Sequence, residues 1–248
     1  MKSSRVRNSS YNVATPGRLL DSAEQLFATR HYETVTLREI AEATQASVGQ
    51  IVYHFGQKDE LIRAVILRRA GVLTEERLQL LDGYEKLIGL QNVEVEPLVR
   101  AYLDPYFQRL MGDDSGWRHY AQFIGRNVWD EKISPVLSEA YNRSAKRYIA
   151  ALRRARPVLT EADSLRAFQF LVATIYGATT NDSRINSLSS NSDNLANDVQ
   201  GHLNALVPFV TGGIERLAEV RETANQEQRL SMRQDINTST HQDRRKYP

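Results

Sequence analysis

Two helix-start signals stand eleven residues apart in this chain: Thr36 with Glu39 three residues on, and Ser47 with Gln50 three residues on. In each, a hydroxyl caps the free amides of a helix start while the longer polar side chain reaches back to the cap's own N–H. Only a short helix fits between them, with Ile40, Ala41 and Ala43 as its small or apolar residues, and the turn at Gln45-Ala46 is too tight for anything but two helices crossing steeply. The arrangement is a helix-turn-helix, with Val48 to Phe55 as the helix offered to a nucleic acid groove.

A third helix precedes them. Thr15-Pro16 announces it, because threonine accepts from the unpaired amides and proline at the first helical position loses no bond. Leu19, Leu20, Ala23, Leu26 and Phe27 then recur at three- and four-residue spacing and make one apolar stripe. Such a module leaves most of the 248 residues for a second, larger domain, and 41% hydrophobic with 25% charged residues is a globular balance. The net charge of +2 puts any DNA-binding surface down to local clustering, as at Lys2, Arg5, Arg7 and Arg18. That basic start is either an arm along phosphates or in a minor groove, or a solvated tail. Zero cysteines exclude disulfides, thiolate metal sites and cysteine nucleophiles. No apolar run approaches bilayer length and the first residues lack the apolar centre of a secretion signal, so a cytoplasmic protein without membrane contact is expected.

The run Leu19 to Leu61 resembles the DNA-binding domain of the TetR family of transcriptional regulators. It carries Ala23-Glu24-Gln25-Leu26-Phe27, Thr36-Leu37-Arg38-Glu39-Ile40-Ala41, Tyr53-His54-Phe55 and Lys58-Asp59-Glu60-Leu61. The resemblance implies an all-α homodimer, usually a repressor, that leaves a palindromic operator when a small molecule fills its C-terminal domain. Two positions depart from the family pattern: Gln45 stands where a turn glycine is usual, and Val48 where many members have lysine or threonine.

The candidate DNA contacts follow from side-chain chemistry. Gln50 offers a paired donor and acceptor to adenine, Val48 can touch a thymine methyl, and Gly49 lets the backbone approach closely. Val52 shares that face, while Tyr53 and His54 suit phosphates or packing against the first helix; Ile51 and Phe55 are expected inward. Arg38, Lys58 and Arg18 are placed for the DNA backbone, with Arg5 and Arg7 on the arm, and Thr36 and Ser47 could add hydroxyls besides capping.

The expected organisation is a basic arm over 1–14, the helix-turn-helix domain over 15–57, a helical effector-binding and dimerisation domain over 58–222, and a polar tail over 223–248 that is disordered or a solvated helix. A fourth helix from Lys58 toward Arg77 would link the two domains and, by the resemblance, transmit effector binding. Further helices are expected at Pro97 to Met111, Gly116 to Trp129, Ile133 to Arg156, Glu161 to Ser183 and Asp193 to Leu217. Tyr102, Phe107, Trp117, Tyr120, Phe123 and Ile124, with Tyr176 later, either line an apolar effector cavity or fill a core; Asn127 offers such a cavity a polar group. Phe168, Val172 and Ile175 on one late helix, and Leu203, Leu206, Val210 and Ile214 on the next, form wide apolar stripes suited to a four-helix dimer interface or to the monomer's own core.

Five dispersed histidines, no phosphate loop and no nucleophile elbow leave no catalytic residue, metal site or cofactor to name. The sequence reading is therefore a non-enzymatic regulator whose partners are double-stranded operator DNA, a small-molecule effector and a second copy of itself. Tyr53-His54-Phe55-Gly56 and Val207-Pro208-Phe209 resemble members that respond to fatty acids or acyl-CoA. The alternative is a helical scaffold with a vestigial DNA module.

Overall fold

The computed structural model describes residues 15–180, 183–188 and 195–243, and every regular element among them is helical. The order is α1 Pro16–Thr29, α2 Leu37–Thr44, α3 Val48–Phe55, α4 Lys58–Ile88, α5 Val95–Met111, α6 Gly116–Asn127, α7 Ser134–Ala155, α8 Glu161–Thr179, the short α9 Ser183–Leu188, and α10 Val199–Asp243. No helix among the described residues is long and apolar enough to cross a membrane. The all-α class is as the sequence indicates, with two helices longer than expected. α4 continues past Arg77 to Gly89, where a positive φ of 80° ends it. α10 continues past Leu217 to Asp243, because the stretch from Arg221 to Asp243 has no glycine or proline and is rich in Glu, Gln and Arg, so helix propensity persists after the apolar stripe has stopped.

The chain divides into two compact units that do not coincide with sequence segments: Met1–Glu76 with Pro105–Arg143 and Tyr176–Gln200, and Arg77–Asp104 with Ser144–Ile175 and Gly201–Pro248. In the first, the stripe of α1 (Leu19, Ala23, Phe27) is fully buried with Ile40 of α2, Ile51 of α3 and Leu61, Val65 and Ile66 of α4. Each of the larger of these side chains, Ala23 excepted, contributes roughly 1.5–3 kcal/mol by leaving water. Helix α6 lies against α1, with the Phe123 ring 5.3 Å from that of Phe27 and the Arg126 guanidinium donating to the Ala28 carbonyl. Its far end is held by the Tyr32 hydroxyl, which donates to Asp130 at 3.1 Å, and by the Lys132–Glu33 ion pair. In the second unit, Leu98, Val99 and Leu103 of α5, Ala151 and Leu152 of α7, Leu171 and Ile175 of α8, and Leu206, Val207 and Ile214 of α10 make the core.

Candidate nucleic-acid interface and effector region

The presentation of α3 is built by its ends. Both expected capping boxes are formed: Thr36 Oγ1 accepts from Glu39 N at 3.2 Å while Thr36 N donates to Glu39 Oε2 at 2.7 Å. Ser47 Oγ accepts from Gln50 N at 3.2 Å while Ser47 N donates to Gln50 Oε1 at 2.9 Å. Between them Gln45 takes the left-handed conformation, φ 56°, that a glycine would adopt without strain. Its N–H closes α2 on the Ala41 and Glu42 carbonyls. Arg30, hydrogen-bonded to Glu39 along with the Thr36 amide and hydroxyl, holds the Glu39 carboxyl at about 2, so this cap stays charged at neutral pH.

With Ile51 fully buried as the anchor, Val48, Gly49, Val52, Tyr53 and His54 lie on the exposed face of α3, and Phe55 is half-buried. Tyr53 is 84% exposed, with the His54 ring 5.1 Å from its own. Gln50 is half-buried and its side-chain oxygen is taken by the Ser47 amide, so a paired contact to adenine competes with the cap. Arg38 is exposed and meets Glu42 one turn on. Lys58 donates to the Glu33 carbonyl at 2.8 Å, and partial burial lowers its pKa; it fastens the start of α4 to the α1–α2 loop. Arg18 is exposed on α1 near its capping Thr15. Arg5 and Arg7 lie outside the described residues.

One buried cluster in the same unit was missed from sequence. Glu24 is fully buried on the apolar stripe of α1, and its carboxylate receives Arg68 at 2.8 Å and Arg69 at 2.9 Å from α4. Burial raises the Glu24 pKa, against the hydrogen bond from Arg69. Arg69 also pairs with Asp114 in the turn before α6 and lies over the Trp117 ring at 4.8 Å. Gly116 makes room for it, since an added Cβ would stand 1.9 Å from Arg69 Nη2. The signal was present as a carboxylate inside an otherwise apolar repeat facing two adjacent arginines.

The eight expected effector-contacting residues fall into two groups. Phe107, Trp117, Tyr120, Phe123 and Ile124 are buried in the first unit, where the Tyr120 hydroxyl meets that of Tyr141 at 2.7 Å and the half-buried Tyr176 ring lies 6.4 Å from Tyr106. Asn127 is buried too, and its side-chain amide donates at 2.7 Å to the Phe123 carbonyl of its own helix. Tyr102 belongs to the second unit, in a ring cluster with Tyr148 at 5.1 Å and Phe168 at 5.4 Å, and beneath the Arg77 guanidinium at 3.8 Å. Ile175, Leu203, Leu206, Val210 and Ile214 of the expected dimer stripe are buried within the chain, and Phe168 and Val172 are half-buried. The surface beside them stays apolar: Phe170 is 62% and Phe209 70% exposed, and with Ala173, Gly213 and Leu217 they line an open groove along α8 and α10. These aromatics sit just off the stripe that a helical period picks out.

Comparison with known proteins gives the same picture at family level. Residues 19–65 match the family model described as bacterial regulatory proteins, tetR family, and residues 100–213 match one described as tetracyclin repressor-like, C-terminal domain. Over 57 residues the chain is 39% identical to the HTH-type transcriptional repressor AcnR of Corynebacterium efficiens, a stretch that covers 23% of this chain and 30% of that one. The fatty acid degradation regulator FadR from Bacillus halodurans superposes with a TM-score of 0.56 at 15% identity, covering 78% of this chain and 98% of that one. GusR of Salmonella enterica superposes with a TM-score of 0.52 at 21% identity, covering 80% and 94%. At such identities the likeness is one of fold.

Proposed function

Because the chain belongs to the TetR family of transcriptional regulators, we propose that it works as a homodimeric repressor released from a palindromic operator by a small, mainly apolar or amphipathic effector. The observation that carries this reading is the row Val48, Gly49, Val52, Tyr53 and His54, turned to solvent on a short helix whose both ends are fixed and whose one inward anchor, Ile51, is fully buried. A helix so held presents side chains to a groove with little ordering left to do on binding. Tyr53 and His54 reach phosphates, Val48 and Val52 offer methyl contacts to thymine, and Gly49 lets the helix lie close to the bases. Arg18, Arg38 and Lys58 flank the row, and the arm with Arg5 and Arg7 adds charge that salt would screen.

The apolar groove of α8 and α10 is the surface we assign to self-association, through Phe170, Phe209 and Ala173. Two copies joined there as a four-helix interface set the spacing of the α3 helices, which must approach one DNA turn, about 34–36 Å. The repressor sense is supported by the AcnR match, confined to the DNA-binding segment. Helix α4 contributes residues to both units, and a shift of it upon effector binding would change that spacing.

The test is a gel shift and footprint with duplexes flanking the protein's own coding sequence, alongside sedimentation of the free protein. A dimer protecting one two-fold symmetric site in the presence of excess random duplex is expected. A monomer with no preference over random duplex would leave the scaffold reading in its place.

A further inference from the structure

The two capping boxes of the helix-turn-helix are closed by different chemistry. At α2 the returning side chain is a carboxylate, with Glu39 Oε2 accepting from the Thr36 amide at 2.7 Å. At α3 it is an amide, with Gln50 Oε1 accepting from the Ser47 amide at 2.9 Å while Gln50 N donates to Ser47 Oγ at 3.2 Å. A backbone N–H can pair only with the oxygen of that side chain, so the cap fixes which way round the Gln50 amide lies. Its Nε2 is the other end, and it donates to nothing among the described residues. The cap has no use for that NH2 group, since the carboxylate at α2 makes the same bond without one. Gln50 also stands one turn before Tyr53 and His54, on the face where both are exposed.

Resting on the operator reading above, we propose that Gln50 reads one base pair of each half-site as a donor only, its oxygen staying in the cap, and that the pair it selects is G·C. A glutamine with both ends free takes adenine, giving to N7 and accepting from N6. With Oε1 held by Ser47 the accepting half of that contact is lost. Reaching adenine with both ends means uncurling the side chain from the helix start and leaving the Ser47 N–H without its partner. Oε1 keeps a second lone pair, but an oxygen drawn to 2.9 Å from the main chain is set back from any base edge. Guanine asks only for donors, because O6 and N7 are neighbouring acceptors on its major-groove edge. Thymine offers a single acceptor, O4, beside a methyl group. The two hydrogens of one NH2 group thus find two partners on guanine and one on thymine, which sets the order G·C over A·T. The residue that caps the reading helix thereby fixes part of the sequence it reads, and reverses what an unrestrained glutamine prefers.

The test is selection of bound duplexes from a random pool by the full chain, with wild type, Gln50→Ala and Gln50→Glu, followed by affinities for all four base pairs at the position that changes. The position whose preference disappears in Gln50→Ala is the one Gln50 reads. Wild type is expected to prefer G·C there by at least about fivefold, as donor contacts to one base edge imply. Gln50→Glu keeps an acceptor for the Ser47 amide, so its melting temperature should match wild type while that of Gln50→Ala falls by about 2 °C. Having no donor, the glutamate variant should lose the G·C preference altogether. A preference for A·T at that position would overturn the proposal, as would the absence of any position that differs between wild type and Gln50→Ala. So would a Gln50→Glu protein that binds every duplex more weakly by one common factor with its preferences intact, since the amide would then merely spare the phosphates a like charge. Should Gln50→Glu fail to fold, the base pair identified by wild type and Gln50→Ala still decides. A wild-type chain that selects no two-fold symmetric site sinks the regulator reading and this inference with it; a symmetric site with A·T at the Gln50 position sinks this inference alone.

Discussion

A carboxylate on the buried face of α1 is out of place by helical periodicity, yet Glu24 is fully enclosed there because Arg68 and Arg69 reach it from α4. Such a cluster is fragile to partial removal, since desolvating an ion costs several kcal/mol and only its partner returns that energy. Glu24→Ala is expected to lower stability by about 3–5 kcal/mol, read as a fall in the urea midpoint, because it leaves Arg69 buried beside a cavity. A loss under 1 kcal/mol would mean that water or Asp114 takes over. Gln45 presents the opposite case. A non-glycine residue held at φ 56° is strained, and Gln45→Gly should raise stability by about 0.5–1 kcal/mol while operator affinity stays unchanged. A destabilised Gln45→Gly protein would show that the glutamine side chain has a contact of its own worth more than the strain.

At the scale of elements, α8 and α10 are tied by one carboxylate. Asp163 Oδ2 accepts from the Thr160 amide and hydroxyl at 3.2 and 2.7 Å, closing a capping box at the start of α8, and its Oδ1 accepts from Arg221 at 2.6 Å. The Arg221 bond first, then those from Thr160, holds the Asp163 carboxyl at about 2, below its ordinary 3.8. A carboxylate whose folded pKa is depressed lends stability above its unfolded pKa and loses it as pH falls through the folded one. The window here is from about pH 4 down to about pH 2. Melts across it should show wild type losing stability more steeply than Asp163→Asn, and parallel curves would mean that Arg221 makes no net contribution. The close approach of α6 to the end of α8 depends on Gly125, where an added Cβ would stand 2.1 Å from Thr180 Cγ2. Gly125→Ala should cost about 1–3 kcal/mol in thermal unfolding, as overpacking does.

For the whole molecule, the proposed function would depend on two copies keeping a fixed spacing, so the groove of α8 and α10 is where a paired change should have the widest effect. Phe170→Glu with Phe209→Glu places charge on both exposed rings without touching the buried stripe behind them. Sedimentation should give a monomer that keeps its helical content, and operator affinity should fall by at least about a hundredfold, as loss of one half-site implies. A dimer surviving both substitutions would place self-association elsewhere.

The helix-turn-helix could be read along the chain because its determinants are local: caps three residues apart, a stripe of period 3.6, and a turn too short for other paths. Those signals define α1, α2 and α3 without any tertiary contact, including the inward Ile51, but Gln50, expected on the exposed row, is half-buried in its own cap. Helix α10 outran its stripe for a related reason, since propensity and amphipathicity are separate properties and the sequence signal for its end was the second of them. What the residues could not tell in one dimension was which of two apolar faces looks outward. The stripe with Leu206, Val210 and Ile214 turned in and Phe209 turned out, although all are apolar and lie within nine positions. Likewise Tyr102 parted from Phe107 and Trp117, and Arg77 came to rest over its ring, because long-range packing decides how α4, α5 and α7 are rotated about their axes. Local chemistry determined the three helices of the helix-turn-helix module; only the folded chain decided how the apolar side chains are shared between core and surface.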